Sequence, residues 1–496
     1  MVFPHTYRNE HTETITTNFT YGSWYAEHVR FKIPIQPTLL KLLKEIDGHE
    51  NKFRHNLAKA ISFKTIPTDP KYSKEIYGMK AYVESWFSKL GIRNESFDVG
   101  STEINGKTIT LPPITLGRLV KPGGNKKTLC VYLYLDVKDQ KDIEGWETDP
   151  FTMVEKDAKY YGAGAASSKG NFLCWMHCLE SFQTENIEIP VNIKFILESA
   201  YTLNSPGMMK FLVAKKQDFF NDIDYVVTNI SEWLGPKYPS IVYGGVGYLY
   251  FTLTVQKTED STTEIEDDAQ NIFKTMVNEK NRITIPHFND FVDQVTPDEE
   301  RVYESIKNFD PEEIIPLLPP NKQKWDKVRI LMDFWRQPSM SVDESQKCIC
   351  PDEMPIIKQE FTVKVVPKQI LEHSVNLVNT HVKNTVNKLN IKNKVEVALV
   401  ASVKHWQESM YQNLYQAARR ATIQIYKEDP DMIREDRGRV IITILKIVFE
   451  KPVLCMPLIP HGCNKKVANE HIPKKNFMEA TKLLAAFLLQ VKDMKK

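Results

Sequence analysis

Glycines, a lysine and two serines stand together in GAGAASSKG at Gly162 to Gly170, the residue types of a phosphate loop, where backbone N–H groups cradle phosphates while a Lys and a Ser/Thr reach the terminal phosphate and its magnesium. The pattern fails where that chemistry needs it. Ser168 replaces the glycine before Lys169, and Gly170 replaces the Ser/Thr after it. A helix N-cap at Ser167 or Ser168 is the better reading. Cys174 and Cys178 stand four residues apart with His177 beside them, a spacing able to set two thiolates on one metal. Their apolar neighbours favour buried, inert thiols. Cys348 with Cys350, and Cys455 and Cys463 near His461, have no companion pair at zinc-site spacing. No G-x-S-x-G elbow follows a strand, so a nucleophilic hydrolase is not indicated.

The elements that must position any site come from a chain of 496 residues, a length that implies roughly two to three domains. Apolar residues make up 42% and charged residues 26%, the balance of a globular protein able to build a large core. Sixty-five Lys and Arg oppose 63 Asp and Glu, leaving +2 and no field of one sign to draw in nucleic acid or an anionic membrane. Seven cysteines without a regular framework argue for a reducing compartment. No signal-peptide apolar run opens the chain and no stretch approaches membrane-spanning length, so a cytoplasmic protein is expected.

Residues 1–36 are rich in Thr, Tyr, Phe and His without helical period and read as an arm. Two amphipathic helices follow, over Leu39 to Ile61 and Tyr77 to Leu90. KKTLCVYLYLDV is a buried strand ending at Asp136; a helix from Lys169 to Phe182, the strand VNIKFIL, a helix from Pro206 to Ala214 and the strand DYVVTN come next. Strands alternating with helices predict a mainly parallel sheet covered on both faces. After Gly247 the texture turns to alternating strands, YLYFTLTVQ, EFTVKVVP and KVEVALVAS, with helices between, an α+β insertion. From about Tyr411 the chain returns to helix and strand, including VIITILKIV, and closes on an amphipathic helix.

At KKTLCVYLYLDV, GWETDPFTMVEKDAKYYGAGAASSKGNF, VNIKFILES, LPPITLGRL and NEHIPKKNFMEATKLLAAFL the sequence resembles the cytosolic non-specific dipeptidase and carnosinase group of aminoacylase-like zinc exopeptidases, from about Leu39 to the end. The resemblance implies an α/β zinc-exopeptidase-like domain with a mainly parallel mixed sheet at 37–245 and 405–496, and an inserted α+β lid or dimerisation domain at 246–404. It implies two zinc or manganese ions roughly 3.5–4 Å apart, a bridging water and a glutamate base. The family residues are replaced at each matching position. The first histidine ligand falls at Tyr134, with the orienting Asp136 retained; the bridging aspartate falls at Ser167 beside Ser168 and Lys169. The paired glutamates fall at Tyr201 and Thr202, the next aspartate at Ile230 and the last histidine at Lys466. The histidine completing a partner's site falls near Thr263, a carboxylate-gripping arginine at Lys364 and a further histidine at Ala401.

Every ligand of the two metals is thus replaced, and loss of a single supporting partner alone commonly costs 10–100-fold in metal affinity or activity. The expectation is a non-enzymatic pseudopeptidase, without catalytic residues, metal or cofactor, acting as a binding or structural component of a protein assembly. Tyr21, Trp24 and Tyr25 of the arm are the residue types that anchor interfaces. The alternatives are a residual metallodipeptidase drawing ligands from Asp136, His461 and Cys463, and a small-ligand binder in which Lys364 and Lys466 hold a carboxylate. The resemblance implies a homodimer through the insertion; a monomer within a larger complex is equally compatible.

Overall fold

The computed structural model describes residues 4–7, 15–18, 33–104, 106–121, 125–278, 282–320, 322–350 and 354–494. Tyr21, Trp24 and Tyr25 lie outside them. From residue 33 the chain forms two compact units, 33–247 with 403–496, and 248–402.

The first unit begins with helices α1 (Pro37–Asp47), α2 (Glu50–Ser62) and α3 (Ser73–Lys89), then strands β1 (Arg93–Phe97), β2 (Ile114–Leu119) and β3 (Thr128–Tyr134). Helix α4 (Lys169–Thr184), strand β4 (Asn192–Glu198), helix α5 (Met208–Lys215) and strands β5 (Tyr225–Thr228) and β6 (Ser240–Gly245) follow. The second unit holds β7 (Gly247–Gln256), α6 (Ile265–Met276), α7 (Lys327–Arg336), β8 (Ser339–Cys350), β9 (Ile356–Val365), α8 (Leu371–Lys388) and β10 (Lys394–Val403). The chain then completes the first unit with β11 (Trp406–Gln407), α9 (Asn413–Tyr426), β12 (Asp431–Glu435), α10 (Val440–Phe449), β13 (Val453–Cys455) and α11 (Lys474–Lys492).

In the first unit the strands run in the order β11-β6-β13-β5-β3-β4-β2-β1, with β12 also on β6. β3 pairs parallel to β4 and β5, and β5 parallel to β13, while β2 and β1 add antiparallel. Every residue of β3 and β4 is buried, as a strand covered on both faces requires. That burial includes Lys194, whose ammonium is kept hydrogen-bonded by the Phe219 carbonyl and Asp222. The second unit is a four-stranded sheet, β8-β9-β7-β10, with its core formed by Phe251, Leu253, Ile272, Phe361 and Val378 among others.

Three local features depart from the sequence reading. The helix expected over Leu39 to Ile61 is two helices, α1 and α2, parted at Gly48 and His49. VIITILKIV has strand-like β-branched composition but forms α10, because Ile441, Ile442, Ile444, Leu445, Val448 and Phe449 then share one buried stripe. Ser168 does occupy the N-cap position of α4, yet its hydroxyl makes no capping bond and is a buried atom without a partner among the described residues. The turn is held instead by backbone bonds from Lys169 and Gly170 to the Gly164 carbonyl and by Glu470.

Candidate functional site

The carboxyl ends of the parallel strands in the first unit are where an open α/β sheet places its ligand. Residues just beyond β3, β4 and β5 meet there. Asp136 follows β3 and is fully buried. Its carboxylate accepts the Tyr201 N–H at 3.1 Å, the Thr202 N–H at 2.7 Å and the Thr202 hydroxyl at 2.6 Å, fixing the turn after β4. Burial pushes the Asp136 carboxyl above its ordinary value, against the opposing pull of these bonds and of Lys466.

The Tyr134 and Tyr201 rings stack with centroids 4.0 Å apart and 21° between planes. Lys466 arrives from the loop before α11 with a left-handed backbone at φ 64°, unusual for a side chain of this size. Its Nζ stands 4.1 Å from the Tyr201 ring centroid and 5.2 Å from that of Tyr134. Burial, aided by neighbouring Lys465, pulls the Lys466 amine down to about 7. The two aromatic faces favour its charged form, so the cation is better held than burial alone implies.

Around this centre the charges are already engaged. Glu470 Oε1 accepts the Ala166 and Ser167 N–H groups at 3.0 and 2.7 Å. Lys465 Nζ donates to the Ile230 and Ser231 carbonyls at 3.0 and 2.9 Å, and Arg439 forms a two-pronged pair with Glu435 at 3.0 and 2.7 Å. Glu198, at the end of β4, accepts from the Tyr132 and Ser205 hydroxyls, and burial lifts it to about 8. That shift favours its protonated, neutral form around neutral pH.

Tyr134, Asp136, Ser167, Tyr201, Thr202, Ile230 and Lys466 are therefore gathered in one unit. Glu470, Glu198, Lys465 and Arg439 belong with them and had no role assigned from the sequence, although Glu470 is the middle residue of the NEH segment that carries the resemblance. Lys364, Thr263 and Ala401 lie in the other unit. Lys364 Nζ donates to the Asp333 and Phe334 carbonyls at 3.0 and 3.1 Å, near the end of α7. Thr263 donates to Asp268 at 2.9 Å, and Ala401 is exposed on β10.

This donor set does not fit a pair of divalent cations. At the positions that the resemblance matches to ligands stand an ammonium, two aromatic rings, a serine, a threonine and an isoleucine, and the nearby carboxylates of Asp136, Glu470 and Glu198 accept from N–H and O–H donors. Among the described residues no group of three or more His, Cys, Asp or Glu is placed to hold a metal. The set Asp136, His461 and Cys463 is not assembled; His461 faces Glu232 at 3.7 Å and Cys463 is buried. Cys174 and Cys178 are likewise free, buried thiols, with Cys174 pushed up to about 12 by burial.

Residues 135–490 match the model of peptidase family M20/M25/M40. The chain is 30% identical to a rat β-Ala-His dipeptidase over 485 residues, covering 93% of this chain and 97% of that one. It is 28% identical to the Cys-Gly metallodipeptidase of Schizosaccharomyces pombe over 473 residues, 91% and 98% of the two chains. The crystal structure of human carnosine dipeptidase 1 superposes with a TM-score of 0.78 at 28% identity, covering 93% and 100%.

These matches correct the expectation of a non-enzymatic, structural pseudopeptidase. The relatives that match over nearly the whole chain are dipeptidases, and substitution at inferred ligand positions is no positive sign of inactivity. The expectation that no cofactor is used is corrected on the same ground, because a relative matching 91% of the chain is a metallodipeptidase.

Proposed function

The chain belongs to peptidase family M20/M25/M40, and from that premise we propose that it hydrolyses small peptides, of the dipeptide class its relatives act on. The observation that carries this is near-complete coverage by β-Ala-His dipeptidase at 30% identity. The retained frame supports it: Asp136 ties the turns after β3 and β4 together, and Glu470 ties the loop before α4 to the loop before α11. A metal, in the relatives that carry one, supplies a Lewis acid and a water made nucleophilic at neutral pH. The residues around Asp136 offer no seat for two such ions, so their assigned part is to shape and polarise the end of the sheet.

The test is release of free amino acids from β-alanyl-histidine and cysteinyl-glycine by the full-length chain, alone and with added zinc or manganese. Product formation well above the buffer rate is expected. No product from either peptide under any of these conditions would overturn the proposal.

A cytoplasmic setting fits the five free cysteines among the described residues, and among those residues no helix is long and apolar enough to cross a membrane. The partner we assign is a second copy of this chain through β10. That strand is at the edge of its sheet and exposes Leu399 at 41% and Val400 at 66%, a combination that recruits another strand unless it is covered. Sedimentation of the wild type should give a dimer, and Val400→Lys a monomer; a monomeric wild type refutes the pairing.

A further inference from the structure

Resting on the reading that small peptides are the ligands, the geometry points to Lys466 and the Tyr134 hydroxyl as a seat for a carboxylate, the free C-terminal group of a small peptide, at the place where the family resemblance puts a cation. Two observations carry this independently. The first is that the Lys466 ammonium has three donors and meets only two aromatic faces, with no hydrogen-bond acceptor for its Nζ among the described residues. The second is that the Tyr134 hydroxyl, on a residue 2% exposed, is buried without a partner among those residues.

The neighbours decide the sign of the missing ligand. Asp136, Glu470, Glu435 and Glu198 each already accept from named donors. Beside Lys466 the spare groups are its ammonium, which only donates, and the Tyr134 hydroxyl, which donates or accepts, while the unpartnered Asn171 Oδ1 belongs to the Ser167 side of the cluster; an ammonium without an acceptor selects one. Lys465 and Arg439 add positive potential on the same side, as their effect on Lys466 records. A metal ion would meet an ammonium in this space, whereas a carboxylate would complete it through a charge-assisted hydrogen bond. The left-handed backbone at Lys466 is a conformation with a cost, and such costs persist where the surrounding structure holds a side chain to a task.

The pH response has a definite direction. Lys466 faces Asp136 and Glu470 as anions and Lys465 and Arg439 as cations, with the Tyr134 and Tyr201 rings against its ammonium. Bound carboxylate favours the ammonium, so binding weakens as pH rises past neutrality and takes up a proton in that range.

The experiment is calorimetric titration of the full-length chain with glycylglycine and with glycylglycinamide, which differ only in the terminal carboxylate. Wild type should bind the acid roughly tenfold or more tightly than the amide, and Lys466→Met should lose that preference while Lys466→Arg keeps it. An unchanged thermal midpoint for Lys466→Arg keeps the comparison valid should Lys466→Met fold poorly. Equal binding of acid and amide, no binding of either, or full preference in Lys466→Met overturns the inference. Hydrolysis without this preference overturns the carboxylate seat and leaves the proposed activity standing; the preference without hydrolysis does the reverse.

Discussion

Gly170→Ala should destabilise the chain by roughly 3 kcal/mol or more, measured as a fall in the urea midpoint of the first unit. A Cβ at this position would lie 2.0 Å from the Ala165 carbonyl oxygen, far inside any tolerated contact. That carbonyl belongs to backbone that cannot retreat cheaply. Ala165 N–H bonds to the Gly162 carbonyl at 3.1 Å, and the next two N–H groups are gripped by Glu470. Gly170 also opens α4, whose residues from Lys169 to Phe182 are all buried, so the helix cannot shift outward. Helix propensity pulls the other way, favouring Ala by only about 1 kcal/mol. Gly48→Ala is the control, since a Cβ there meets nothing nearer than 3.5 Å. A Gly170→Ala chain as stable as wild type would show that propensity wins and that this approach of backbone to helix does not constrain the fold.

The same turn shows which parts of the molecule were legible in the sequence. β3 was, because a strand buried on both faces has nearly uniform apolar composition, and β4 was through Ile193 and Phe195 to Leu197, although its buried Asn192, Lys194 and Glu198 break that pattern. α10 was not: its β-branched residues suit a strand locally, and only its packing between β13 and the rest of the unit selects helix. Tyr134, Ser167, Tyr201, Ile230 and Lys466 could be singled out in the sequence one at a time, through the resemblance. Their joint arrangement was not, since it depends on contacts such as Glu470 to Ala166, 304 residues apart. The step from inferred ligand replacements to absent activity failed for a related reason. A site is defined by what its residues do together, and a residue-by-residue deficit describes the family's version of the site alone.

His177 is expected to make the first unit acid-sensitive. Its ring lies flat on Phe53, with centroids 3.7 Å apart and 3° between planes, and is boxed by Trp86 at 5.5 Å and Phe477 at 5.8 Å. Asn56 Nδ2 donates to its Nε2 at 3.0 Å, which fixes the neutral ring. Burial holds His177 well below its ordinary 6.5, with the nearby Lys52, Lys89 and His49 adding in the same direction. A group depressed on folding contributes its full stability above the unfolded value and loses it as pH falls below. Each pH unit below 6.5 therefore removes up to about 1.4 kcal/mol, until the buried ring itself takes a proton. Glu198 acts oppositely. Lifted from 4.5 to about 8, it gains stability as pH falls through the same range, so the wild-type slope alone is not diagnostic. The difference between wild type and His177→Phe is, because Phe keeps the stack on Phe53 and removes the titration, while the Asn56 hydrogen bond it also loses lowers stability at both pH values alike. Urea midpoints at about pH 7 and about pH 5 should separate the two proteins, with wild type losing more stability toward acid by roughly 2 kcal/mol. Parallel pH profiles would mean that the ring takes up its proton as readily in the folded chain as in the unfolded one, and that its aromatic box is open to water.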